Sequence, residues 1–345
     1  MGRYAARMRK RDDRGLVRVV VGDGVALLLL TAASLVFAGG FALFLAASGE
    51  FLPHDIQYLG MSAADLCSVA HCRVVDFMIH DRAAFGGALV GIGVLYVYLA
   101  LFPLRLGEAW AWWLFAISGA AGFASFLAYL GYGYLDTWHG IGTLLLLPIF
   151  LLGLIRSRRL VRPWRGPLSL LTAGRLPDLR TRYGIGRACQ VLGAGGVTVA
   201  GLVIFIVGVT DVFVPEDLAF MHITASDLDA VNPRLIPLIA HDRAGFGGAV
   251  FTLGLIALVC VWCGRASRAL WEALALAGAV SLAAAITPHI LIGYTDPWHL
   301  APVVAAGASL VIGLALTRQR QPMPHLDEPA TASPVAKPIG GPPHG

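Results

Sequence analysis

Charge is scarce in this chain: Asp, Glu, Lys and Arg together make up 14% of its 345 residues, where a soluble domain usually carries about a quarter. That excludes an ordinary water-soluble enzyme. Cysteine is scarce too, five in all, which excludes a small domain stapled by disulfides. Lysine is nearly absent, 2 residues against 24 arginines. What abounds is apolar: 57% of the residues are hydrophobic, the mean hydropathy is +0.72, and there are 41 glycines. That composition excludes a disordered chain and fits helices that approach closely in lipid through small residues.

Apolar stretches long enough to cross a bilayer, which takes roughly 20 helical residues, run over 25–48, 83–102, 110–131, 139–155, 189–210, 244–263, 270–292 and 299–316. The expected fold is therefore an all-α integral membrane protein with eight transmembrane helices. The first stretch exceeds the h-region of a cleaved signal peptide and is kept as a helix. Lys and Arg divide 22 against 4, the four being Arg73, Arg82, Arg234 and Arg243. By the positive-inside rule both termini are cytoplasmic, in a cell membrane. With the acidic residues added the two faces carry about +14 and −9, an asymmetry that the net +5 hides. The basic linker reads as a topology signal that meets lipid headgroups, not as a nucleic-acid site. The tail after Arg320 reads as disordered, and Cys260 with Cys263 as small apolar packing. Cys67 and Cys72 lie in the first external loop, where an oxidising compartment would permit a disulfide.

The chain repeats itself at an offset near 160. FLPHD (Phe51 to Asp55) matches FVPED (Phe213 to Asp217), HDRAAFGGA from His80 matches HDRAGFGGA from His241, and GYLDTWH (Gly133 to His139) matches GYTDPWH (Gly293 to His299). The expected layout is a basic tail (1–24), a first four-helix repeat (25–159), a basic linker (160–188), a second repeat (189–317) and a C-terminal tail (318–345). Four helices per half give both halves the same orientation, as two tandem pseudo-symmetric four-helix bundles. Of ten histidines, His80 pairs with His241 and His139 with His299, while the other six do not repeat.

The four repeated histidines fall at the external ends of helices 2, 4, 6 and 8. Imidazoles on facing helices of a bundle can hold a haem iron or another metal. Ala84, Gly87 and Gly91, with Gly245, Gly248 and Thr252, form small-residue stripes below His80 and His241. They suit either a flat macrocycle, with Arg82 and Arg243 meeting its propionates, or simple close helix packing. Asp136 and Asp296 fit N-cap roles. A second set joins His80, Asp81, Asp136 and His139, and likewise His241, Asp242, Asp296 and His299, as two-His, two-Asp sites for Zn²⁺ or another divalent metal. A third reading makes the repeated motifs structural caps in a non-enzymatic carrier, sensor or assembly protein. Mid-depth charge, usual at transport sites, is nearly absent.

This layout resembles the haem A synthases, which have eight helices in two pseudo-symmetric bundles and a histidine on the second and fourth helix of each. The resemblance implies haem b as cofactor, His80 with His139 and His241 with His299 as axial ligands, and Cys67 and Cys72 as the family's external cysteine pair. It also implies a catalytic role for Asp76, four residues before His80. The expected function is haem or metal binding near the external face, for electron transfer or haem modification by a membrane oxidoreductase. Its partners are the lipid bilayer and a redox partner or quinone.

Overall fold

The computed structural model describes residues 21–318 apart from 71, 128–133, 135–136, 173 and 175–177. Most of the two tails, with Asp136, therefore lies outside the described residues. Eight long helices carry the fold: α1 (Val25–Ser48), α2 (Cys72–Leu101), α3 (Ala109–Leu127), α4 (Thr137–Ser157), α5 (Arg182–Val209), α6 (Leu235–Cys263), α7 (Arg268–Ile292) and α8 (Pro297–Thr317). Among the described residues, seven helices are long and apolar enough to cross a membrane. No strand occurs among the described residues.

Two helices start much earlier than the sequence suggested, α2 at 72 instead of 83 and α6 at 235 instead of 244. The charged triplets beginning at His80 and His241 read as helix entrances. They are instead buried and paired inside their helices, so nothing obliges the helix to end there. The ends that do occur have local causes. Gly49 and Gly293 close α1 and α7 in the left-handed conformation, both at φ 74, where a side chain would be strained. Asp296 opens α8 by accepting from the N–H groups of Trp298 and His299, each at 2.9 Å, with Pro297 at the first helical position.

The connections that follow α1 and α5 are not irregular. Each holds two short helices, Pro53–Leu59 and Ala63–Ala70 in the first half and Pro215–Met221 and Ala225–Val231 in the second. Ser62 with Asp65, and Thr224 with Asp227, make reciprocal caps at the second helix of each pair. The hydrogen bonds they receive hold both carboxyls below the usual range. A disulfide joins Cys67 to Cys72, tying the short helix Ala63–Ala70 to the start of α2.

The two halves are not separate bundles. Gly86 packs against Gly39, bringing α2 to α1. On its other side α2 meets α7 of the opposite half, where Ser281 Oγ donates to the Gly87 carbonyl at 3.0 Å. The mirror arrangement places α6 between α5 of its own half and α3 of the first half, with Gly248 against Ser125. Outer helices then close each side. Trp112 on α3 donates to the Leu154 carbonyl of α4 at 2.8 Å, and Trp271 on α7 donates to the Leu314 carbonyl of α8 at 2.9 Å. The small-residue stripes are thus mainly packing seams: a Cβ on Gly87 or Gly91 would run into Ala284 or Ser281. Each half lends its second helix to the other, and α2 and α6 form the shared centre.

Candidate functional site

The N-terminal parts of α2 and α6 carry a buried ionic lattice built from the repeated motifs. Asp55, in the first short helix, accepts from Arg82 Nη2 at 2.8 Å and from the Tyr134 hydroxyl. Asp217 occupies the equivalent place, with Arg243 Nη1 at 2.7 Å and the Tyr294 hydroxyl donating at 2.8 Å. Each carboxylate also takes its own helix's N-cap N–H, from Leu52 and Val214. A cross-link joins the halves where Arg82 Nε donates to Asp242 Oδ2 at 3.0 Å. Asp81, 1% exposed, lies in the field of Arg243 and 3.2 Å from His80 Nδ1. Among the described residues the lattice therefore sets two guanidinium groups, with His54 and His80 beside them, against four buried or nearly buried carboxylates. An excess of negative charge away from water is costly without a compensating cation.

Beside this excess stand three histidines. His80 from α2, His289 from α7 and His299 from the first turn of α8 each offer one nitrogen, and the three nitrogens lie within 4.8 Å of one another. His80 and His289 are buried, at 3% and 5% exposure. Their outer contacts orient the rings. His289 Nδ1 is 2.6 Å from the Ala285 carbonyl one turn back, so it carries the proton and leaves Nε2 as acceptor, buried and without a hydrogen-bond partner. His299 Nδ1 is 3.1 Å from the Tyr294 hydroxyl. Burial, reinforced by the Asp217 charge, pushes the Tyr294 phenol up, so it stays protonated, donates to Asp217 and accepts from His299. Fixing one imidazole nitrogen through a carbonyl or a carboxylate-bound hydroxyl is how proteins orient histidine ligands towards a metal.

The cluster caps a cavity of about 520 Å³ enclosed by α5, α6, α7 and α8 of the second half together with α2 of the first. Its polar lining concentrates at the end next to the lattice, in His80, Glu216, Arg243, His289 and His299, and most of the rest is Ala, Val, Leu and Ile. A second cavity of about 600 Å³ lies among α1 to α4 and α6, with Asp55, Arg82, His139, His241 and Asp242 at its polar end. Here His139 Nδ1 and His241 Nε2 are 3.3 Å apart, within direct hydrogen-bonding distance.

The repeated histidines are therefore brought together in crossed pairs, His80 with His299 and His241 with His139, and not within each half as the resemblance implied. The same exchange undoes the two-His, two-Asp sets. Asp296 is committed to capping α8, Asp242 to Arg82, and Asp136 lies outside the described residues. Asp76 is half-buried, has Arg73 as its charged neighbour, and lines neither cavity. Arg82 and Arg243 do line the cavities, with carboxylate partners. Sequence reasoning missed His289, Asp55, Asp217, Tyr134 and Tyr294. The last four sit in the repeated anchors and were legible there, whereas His289 faces Tyr129 in the repeat and carries no such signal. No protein family, curated protein or solved structure matches the chain.

Proposed function

We propose that the chain crosses the bilayer eight times with both termini cytoplasmic, and that its second compartment holds a divalent transition-metal ion on His80, His289 and His299. The charge asymmetry of the sequence supports the orientation. One observation carries the metal: three imidazoles from three helices converge, two of them fixed from outside so that Nε2 is the free nitrogen. The surplus of carboxylates over guanidinium groups in the adjoining lattice supplies the charge that a dication balances.

Three nitrogen ligands with a fourth position left open is the arrangement of catalytic rather than structural zinc, and imidazole equally suits copper. The three histidines line a cavity whose other walls are mostly apolar, so the chemistry served is that of a membrane-soluble molecule, and oxidoreduction is the class favoured when the ion is copper. A bound ion would act as a Lewis acid or redox centre. The chain's own contribution is to orient the imidazoles through Ala285 and Tyr294 and to wall off water with α5 to α8. A mononuclear ion suits this set of residues better than haem. His289 stands 4.2 Å from the His80 ring and 5.2 Å from the His299 ring, in space that a macrocycle would need.

Elemental analysis of protein purified from metal-replete cells is expected to give about one transition-metal ion per chain. His289→Ala should reduce that at least tenfold, because two imidazoles hold a dication far less well than three. Wild-type protein without stoichiometric metal, or a His289→Ala variant that keeps it, would overturn the proposal. Sharp low-spin haem bands in the visible spectrum would return the site to haem.

A further inference from the structure

The first compartment lacks the third histidine among its described residues, yet it encloses the larger space and a different lining. Phe37, Phe41, Phe85, Phe123, Phe150 and Tyr96 surround it, so its walls are largely aromatic. Among the described residues, the second compartment has only Phe246 and Trp298 of that kind. Aromatic walls favour a flat conjugated ring, which stacks or meets them edge to face. Phe37 and Phe41 are 77% and 50% exposed on α1, which places a side of the cavity at the lipid-facing surface of the helices. A ligand arriving that way is lipid-soluble.

The polar end narrows the class further. Arg82 is held between Asp55 and Asp242, so this end carries more carboxylate than guanidinium and opposes an anionic head such as that of a fatty acid. Arg82 Nη1 is nevertheless buried without a hydrogen-bond partner. A buried donor of this kind costs free energy until an acceptor reaches it. A neutral carbonyl oxygen meets both conditions, giving the donor a partner without adding negative charge.

We propose that the first compartment binds a membrane quinone: a planar neutral ring with one carbonyl towards Arg82 and the His139 and His241 pair, and an apolar tail leaving past Phe37 and Phe41 into the bilayer. This site does not depend on the metal of the second compartment.

Two glycines on α4 make the test selective. Gly142 lines the cavity and a side chain there meets nothing within 4 Å, while Gly140 is equally unobstructed and does not line it. Gly122, on α3, also lines the cavity and has only Thr252 near, at 3.9 Å. Purified protein in phosphatidylcholine nanodiscs is titrated with decylubiquinone, against empty nanodiscs. Wild type and Gly140→Phe are expected to show one saturable site per chain, and Gly142→Phe at least tenfold weaker binding. If Gly142→Phe fails to fold, Gly122→Leu decides, with the same expected loss. The proposal is overturned by the absence of saturable wild-type binding above empty discs, by binding that survives both cavity-filling variants, or by displacement of the quinone by stearate.

Discussion

Asp217→Ala is expected to destabilise the protein by about 3–5 kcal/mol, the usual cost of stranding one partner of a buried ion pair. The carboxylate is 0% exposed. It pairs with the Arg243 guanidinium and accepts from the Tyr294 hydroxyl and the Val214 N–H, so its removal strands a guanidinium, a hydroxyl and a helix N-terminus at once. The loss should also loosen His299, whose Nδ1 leans on Tyr294. Thermal unfolding in detergent, followed by circular dichroism, checks this against Asp229→Ala. Asp229 is exposed in the short helix Ala225–Val231, and its loss should stay within about 0.5 kcal/mol. Equal melting temperatures for the two variants would refute the lattice as a source of stability.

The second large effect is steric, and glycine substitutions on α5 should reverse its sign within two turns. A Cβ on Gly201 would overlap the backbone of α6 at Phe251, and Gly247 makes the reciprocal approach to Phe205. Gly201→Ala is therefore expected to force the helices apart at a cost of about 1–3 kcal/mol, as overpacking of a tight contact does. Gly195, on the same helix, has nothing within 4 Å. Gly195→Ala should stabilise by roughly 0.5–1 kcal/mol, because alanine restricts the unfolded chain and suits a helix better. Chemical denaturation of the two variants in the same detergent gives the comparison. A shift in the same direction for both would show that α5 and α6 do not meet as described.

Much of this architecture is written locally in the sequence, and what is written there was readable. Hydropathy and length marked the long helices, the repeat marked which residues are equivalent, and the Asp-Pro-Trp-His run from Asp296 announced the cap of α8. Proximity across the repeat is not local. An internal alignment says that His80 corresponds to His241, but not that His80 lies beside His299 and His289 of the other half. That depends on α2 and α6 each being held by the opposite half's third helix, through surfaces such as Gly87 against Ala284 that resemble any small-residue seam. The filter that kept only repeated histidines also worked against the site. A three-histidine cluster in one compartment but not in the other needs a residue that does not repeat, and His289 is that residue. Tyr134 and Tyr294 were visible in their motifs, but a tyrosine at a membrane boundary has an ordinary anchoring use. Only the hydrogen bonds to Asp55 and Asp217 distinguish them. The helix starts were misplaced for a related reason: charge reads as a membrane boundary unless its partners are known, and these partners lie in sequence-distant short helices.

The central claim is that one metal centre is assembled across the two halves, with His80 from the first and His289 and His299 from the second. Its most direct test is the metal content per chain of His80→Ala beside that of His139→Ala, in protein purified identically and shown to be folded. The crossed arrangement predicts that His80→Ala loses the ion while His139→Ala, in the other compartment, keeps it. Loss of the ion in both variants would mean that His80 and His139 share a site within one half, and would contradict the account.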